Sequence, residues 1–191
     1  MRRYFSFIQR RVTAVVVVLA SMGLSASAAE ITSAYTKINL EDCNQLERAA
    51  EEGTFGGSWT CPGYGGLQVL VSEGDLRMFV SFGPDAENEP AAGQTLSRFN
   101  TINETLEWRL RDGVPFATIL RWFPSLDEGK GTGSVLIVTQ LKPGATCQVG
   151  RIDAQANPGA NQMSRDLADT MAGTHNCSLP PIVPGNKGIF Q

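Results

Sequence analysis

Cys43, Cys61, Cys147 and Cys177 follow a leader that addresses the chain out of the cytoplasm, and these two features together constrain the fold most. Arg2, Arg3, Arg10 and Arg11 begin a leader of 29 residues that holds no acidic side chain. Val12 to Leu24 is an apolar run, and Ser25-Ala26-Ser27-Ala28-Ala29 supplies the small side chains that a signal peptidase accepts. A helix that crosses a bilayer needs roughly 20 apolar residues, more than this run contains. The segment 1–29 is therefore expected to be a signal peptide cleaved after Ala28 or Ala29, with no stable membrane insertion afterwards.

In the oxidising space beyond the membrane, an even cysteine count reads as disulfides. Three pairings are open. Cys43–Cys61 and Cys147–Cys177 are favoured, because near neighbours close short loops and 86 positions separate the two pairs. Each bridge is expected to add about 3 kcal/mol by restricting the unfolded chain. The metal and redox alternatives are weak, since no C-x-x-C spacing occurs and His175 is the single histidine.

Without its leader the chain of 191 residues retains 162, which suits one domain with a real core. The leader carries four of the 16 basic residues and none of the 19 acidic ones, so the mature charge is about −7. So acidic a chain repels phosphate backbones and anionic head groups, which argues against nucleic acid and membrane surfaces as partners.

Apolar alternation supplies most of the fold prediction. Ser33 to Leu40 reads as a first strand, and Asp42 to Gly53 as a short N-terminal helix with Cys43, Leu46 and Ala50 at helical spacing. The segment Gly53–Gly66 is too rich in glycine for a helix, and Trp59 and Cys61 share one face of a short strand. Leu67 to Ser72 and Leu76 to Phe82 form a hairpin turned at Glu73-Gly74, followed by a polar loop from Pro84 to Gln94. Leu106, Trp108 and Leu110 form another apolar row with Glu107, Arg109 and Arg111 opposite, and Asp112-Gly113 is a turn. Pro115 to Phe123 reads as a central strand covered on both faces; Ser134 to Leu141 and Ala145 to Ile152 pair across Lys142-Pro143-Gly144. Asn157 is the expected cap of a final helix whose stripe is Ala160, Met163, Leu167 and Met171, with Ser164, Arg165, Asp166 and Asp169 away from it. The expected class is α+β: a mainly antiparallel sheet of about seven strands, two helices and two disulfides. It forms one β-rich domain over 30–178 with an extended tail over 179–191.

No catalytic signature stands out. Gly56-Gly57-Ser58-Trp59-Thr60 lacks the last glycine of a nucleophile elbow, and Gly129-Lys130-Gly131-Thr132 lacks the hydroxyl residue of a phosphate loop. His175 sits past a helix end, where a structural role outweighs a catalytic one. Asn103-Glu104-Thr105 matches a glycosylation acceptor, a short pattern that arises often by chance. Asp75 and Arg77 share a strand face beside Glu73, and paired carboxylates there would suit a glycosidase. Trp59, Trp108 and Trp122 belong to apolar rows and the core, whereas Tyr64 is expected to be exposed. Tyr64, Asp75 and Arg77 are accordingly the candidate binding surface; no catalytic, metal or cofactor residue is assigned.

Trp59-Thr60-Cys61-Pro62-Gly63-Tyr64, Gly74-Asp75-Leu76-Arg77, Leu106-Glu107-Trp108-Arg109, Pro115-Phe116-Ala117-Thr118-Ile119 and Ile152-Asp153-Ala154 through Asn157 and Asn161 resemble a set of small exported bacterial proteins with no assigned activity. The resemblance spans most of the mature chain and implies a periplasmic address, but no reaction, substrate or ligand. The leading expectation is a soluble, non-enzymatic periplasmic protein that binds or inhibits an envelope protein or glycan. The alternative is a hydrolase acting on cell-wall or sugar substrates through paired carboxylates.

Overall fold

The computed structural model describes residues 29–48, 56–127 and 129–191. Nearly all of the leader, and residues 49–53 of the expected N-terminal helix, lie outside the described residues. Among the described residues nine strands and one α-helix follow one another: β1 (Ile31–Lys37), β2 (Asn44–Arg48), β3 (Gly56–Pro62), β4 (Gln68–Gly74), β5 (Arg77–Phe82), β6 (Asn100–Arg111), β7 (Val114–Pro124), β8 (Val135–Gln140), β9 (Cys147–Asp153) and α1 (Ala160–Met171). They form two antiparallel sheets, of order β1-β6-β7-β8-β9 and β2-β3-β4-β5.

The apolar rows explain the layering. Val69, Val71, Val80 and Phe82 of the smaller sheet meet Leu106, Trp108, Leu120, Trp122 and Ile137 of the larger one in a single buried cluster. The larger sheet also buries its opposite face. There Ala117, Ile119, Val138 and Val149 pack against Ala160, Ala168 and the partly buried Met163, Leu167 and Met171 of the helix. β7 thus has both faces covered, as its apolar run predicted, and lies between β6 and β8. The result is three layers: sheet, sheet and helix.

Both favoured disulfides are present, Cys43–Cys61 and Cys147–Cys177. The strand count is nine rather than about seven, and the segment expected to start a short helix is instead a 3-10 turn over Leu40–Asp42 followed by β2. Tertiary pairing overrides helical spacing here. Cys43 is bonded to Cys61 in β3, and Asn44 and Gln45 lie opposite Thr60 and Trp59 in the ladder. The β4–β5 turn also falls two residues later than expected, on Asp75 and Leu76, both with positive φ, so Leu76 leaves the apolar row and is exposed. Asp112-Gly113 does turn β6 into β7, with φ of 51° and 80°, a conformation that glycine takes without a Cβ penalty.

Asn157 is not the helix cap; that position is Gly159. The Asn157 amide is buried, donates to the carbonyls of Asp153 and Asn186, and accepts the Asn186 N–H. It therefore ties the segment 179–191 to the body of the domain. That segment is held further by Ile182, which exchanges backbone bonds with Val149 and Arg151, and by the Ile189 N–H, which donates to Asp153 Oδ2 at 2.9 Å.

Candidate binding cleft

A cleft of about 560 Å³ opens where several turns converge at one end of the two sheets. The segment 63–67 builds one wall. Gly63 N–H donates to Leu67 O at 2.8 Å, Leu67 N–H returns to Tyr64 O at 3.1 Å, and this tight turn pushes Tyr64 outward. Tyr64 is half-buried rather than exposed, because its ring lies tilted against Trp108 at 6.4 Å. Trp108 in turn meets Phe82 edge-on at 5.7 Å, so three aromatics run from the cleft into the core. The Tyr64 hydroxyl makes no hydrogen bond among the described residues. Leu67, Phe82, Pro84, Val114, Pro115, Leu141 and Pro143 complete a mainly apolar lining, with Val114 largely exposed at the lip.

Two acids also border this cleft, Asp85 and Glu89. Asp85 is exposed and accepts from Asn88 Nδ2 at 2.6 Å. Glu89 is buried, and its two oxygens accept the N–H groups of Gly144 and Thr146 at 2.6 and 2.8 Å. Those bonds fix the turn after β8, and Thr146 O accepts Ala91 N–H at 2.9 Å on the return side. Glu89 is thus committed to holding the cleft wall, and each oxygen already faces a backbone donor rather than a ligand.

Asp75 and Arg77 are not brought to this cleft. They form an ion pair with each other beyond the far end of β4, which at about 3.4 Å per residue puts them roughly 20 Å from Tyr64. The three residues of the candidate surface therefore belong to two separate places. His175 is buried beside the Cys147–Cys177 bridge, with its carbonyl accepting Gln140 Nε2 at 3.1 Å. Lys130 folds onto Asp127 at 3.6 Å within its own loop. No group of three or more His, Cys, Asp or Glu side chains placed to hold a metal occurs among the described residues.

Period-2 alternation gives no warning of a charged layer between β6 and α1. Glu107 and Arg109, expected opposite the core row and so toward water, face the helix instead. Arg165 donates to both oxygens of Glu107, Arg109 donates to both oxygens of Asp169, and Ser33 Oγ links the two pairs. Arg165 has its pKa raised, chiefly by the hydrogen bond it donates to the Glu107 carboxylate. The matching signal was the polar side of α1: Arg165 and Asp169, one helical turn apart, are complementary to Glu107 and Arg109, two apart on the strand. Asn161, on the same helix, accepts Arg121 Nη2 at 3.0 Å. Ser164, expected away from the apolar stripe, is fully buried and donates to Ala160 O at 2.8 Å.

No family model matches the chain, and neither the curated proteins nor the solved structures yield a match. Among the described residues, no helix is long and apolar enough to cross a membrane.

Proposed function

We propose that this chain is an exported, non-enzymatic binding protein of the bacterial envelope, and that the cleft beside Tyr64 receives an apolar segment of an envelope polypeptide. The carrying observation is the cleft itself: an apolar, proline-rich lining with one half-buried aromatic and a free hydroxyl. A few polar groups on an apolar concave surface are the usual composition of a recognition site. A glycan would ask for many more hydrogen-bonding groups, which this lining does not offer. The leader and the two disulfides support an address outside the cytoplasm.

The hydrolase alternative draws on Asp85 and Glu89 sharing the cleft, but Glu89 is held by two backbone donors. The test is a pull-down from envelope extract with the native protein and with Val114→Asp, a change at an exposed lip position. A protein retained by the native chain and lost by V114D supports the reading. Release of fragments from peptidoglycan or glycan by the native chain, abolished in Asp85→Asn, would replace it with the hydrolase.

A further inference from the structure

A second cavity, of about 420 Å³, lies at the Arg77 end of the molecule and shares no residue with the Tyr64 cleft. Three guanidinium groups border it, Arg77 at the start of β5, Arg98 before β6 and Arg151 on β9, and no carboxylate does among the described residues. Two of these cations have partners outside the lining: Arg77 pairs with Asp75, and Arg98 with Asp127 at 2.8 Å. Arg151 differs from both. Its Nε and Nη2 donate to the neutral Gln148 Oε1 and Thr95 O, each at 2.9 Å, and no acidic side chain pairs with it among the described residues. Desolvation lowers its pKa, as happens to a cation drawn inward without a counter-charge. The Nε of Arg77 is also buried and has no acceptor among the described residues. An uncompensated cation at a cavity, and an unused donor on a second arginine that lines it, both call for an anion. The remaining lining sets apolar Leu96, Pro124, Ile189 and Phe190 beside polar Gln94, Thr95 and Ser97.

We propose that this cavity binds a small organic carboxylate, with the acid group against Arg151 and Arg77 and an apolar body on Leu96, Pro124, Ile189 and Phe190. A planar guanidinium fork matches a carboxylate in shape as well as charge. Counting Asp75 and Asp127 against the three arginines leaves a single positive charge, which suits a monoanion better than a phosphate dianion. The site is independent of the Tyr64 cleft. Because Ile189 and Phe190 form one wall, an occupant also touches the C-terminal segment that Asn157 and Asp153 hold in place.

The test is an amide NMR titration of the full exported chain with phenylacetate, its neutral isostere phenylacetamide, and inorganic phosphate. Phenylacetate is expected to shift the Thr95, Ser97 and Phe190 amides saturably, with phenylacetamide weaker by about tenfold or more. Arg151→Gln is expected to weaken phenylacetate to a similar degree. Because Arg151 also ties down Thr95, Arg98→Gln on the more exposed rim serves as a second variant, with a several-fold loss and an unchanged spectrum elsewhere. Equal binding of acid and amide, tighter binding of phosphate, or no saturable shift with phenylacetate would each overturn the proposal. Shifts confined to the Tyr64 cleft would do the same.

Discussion

Arg109 holds Asp169 through two parallel hydrogen bonds, Nε to Oδ1 at 2.9 Å and Nη2 to Oδ2 at 2.6 Å, and so joins β6 to the helix above it. Only 9% of the Arg109 side chain and 23% of the Asp169 side chain remain exposed. Removing the carboxylate leaves the buried guanidinium with Ser33 Oγ and the more distant Glu107, 4.0 Å away, so Asp169→Ala is expected to lower unfolding free energy by about 3 kcal/mol. The pair replaced together, as Arg109→Met with Asp169→Leu, is expected to cost less than that single change. Denaturant melts of the two variants decide it: an equal or larger loss in the double variant would show the pair to be a net source of stability.

Gln140 plays a similar part without charge. It is fully buried, donates to Ala145 O at 2.8 Å and His175 O at 3.1 Å, and accepts the Gly173 N–H at 2.9 Å. Leucine at this position keeps the volume but leaves three backbone groups unpaired. Gln140→Leu is expected to cost about 2–4 kcal/mol in thermal or denaturant unfolding. Non-reducing peptide mapping should still find Cys147 joined to Cys177, which separates this loss from a failure to oxidise.

Gly63 is where the backbone leaves no room for a side chain. A Cβ there would stand 2.5 Å from Leu67 O and 2.7 Å from the Trp108 ring. Neither neighbour is a flexible chain end. Gly63→Ala is expected to destabilise the fold by about 1–3 kcal/mol and to change the near-ultraviolet dichroism of Trp108. Gly65, with open space around its Cβ but φ of 61°, is expected to respond more mildly to alanine, through backbone strain alone.

Asp127 gives a pH-dependent check. The Arg98 hydrogen bond and charge, with Lys130 nearby, hold its carboxyl below the ordinary value of 3.8. A folded pKa below the unfolded one means that the ionised carboxylate favours the folded chain above the unfolded value. That contribution disappears as pH falls through the lowered folded value. A carboxyl-carbon NMR titration should therefore place the Asp127 midpoint below 3.8 in the native chain and move it upward in Arg98→Gln. Added salt should shrink the difference, because the pair is exposed.

Most of the fold was legible because the apolar rows are regular. Val69 and Val71, Val80 and Phe82, and Leu106, Trp108 and Leu110 each mark one face of a strand, and each row is found in the core. Short loop closure likewise pointed to the correct cysteine pairs. Two of the failures share one cause, which is partners distant in sequence. Helical spacing around Cys43 gives way to pairing with β3, and Asn157, a good cap by type, is taken by Asn186 from the tail. The cleft was legible only at Tyr64. Its other walls come from turns after β5, β6 and β8, which no local pattern assembles. The three arginines of the second cavity are scattered over 75 positions and stand together only once both sheets are folded.

The backbone exchange between Ile182 and β9 has one more consequence. β9 is the last strand of its sheet, and a bare border of that kind offers unpaired N–H and C=O groups to any passing chain. The final stretch of the polypeptide lies along that border and occupies donors and acceptors at Val149 and Arg151. A molecule shortened past Ile182 would carry an open seam, and self-association through strand addition is the form its instability would take.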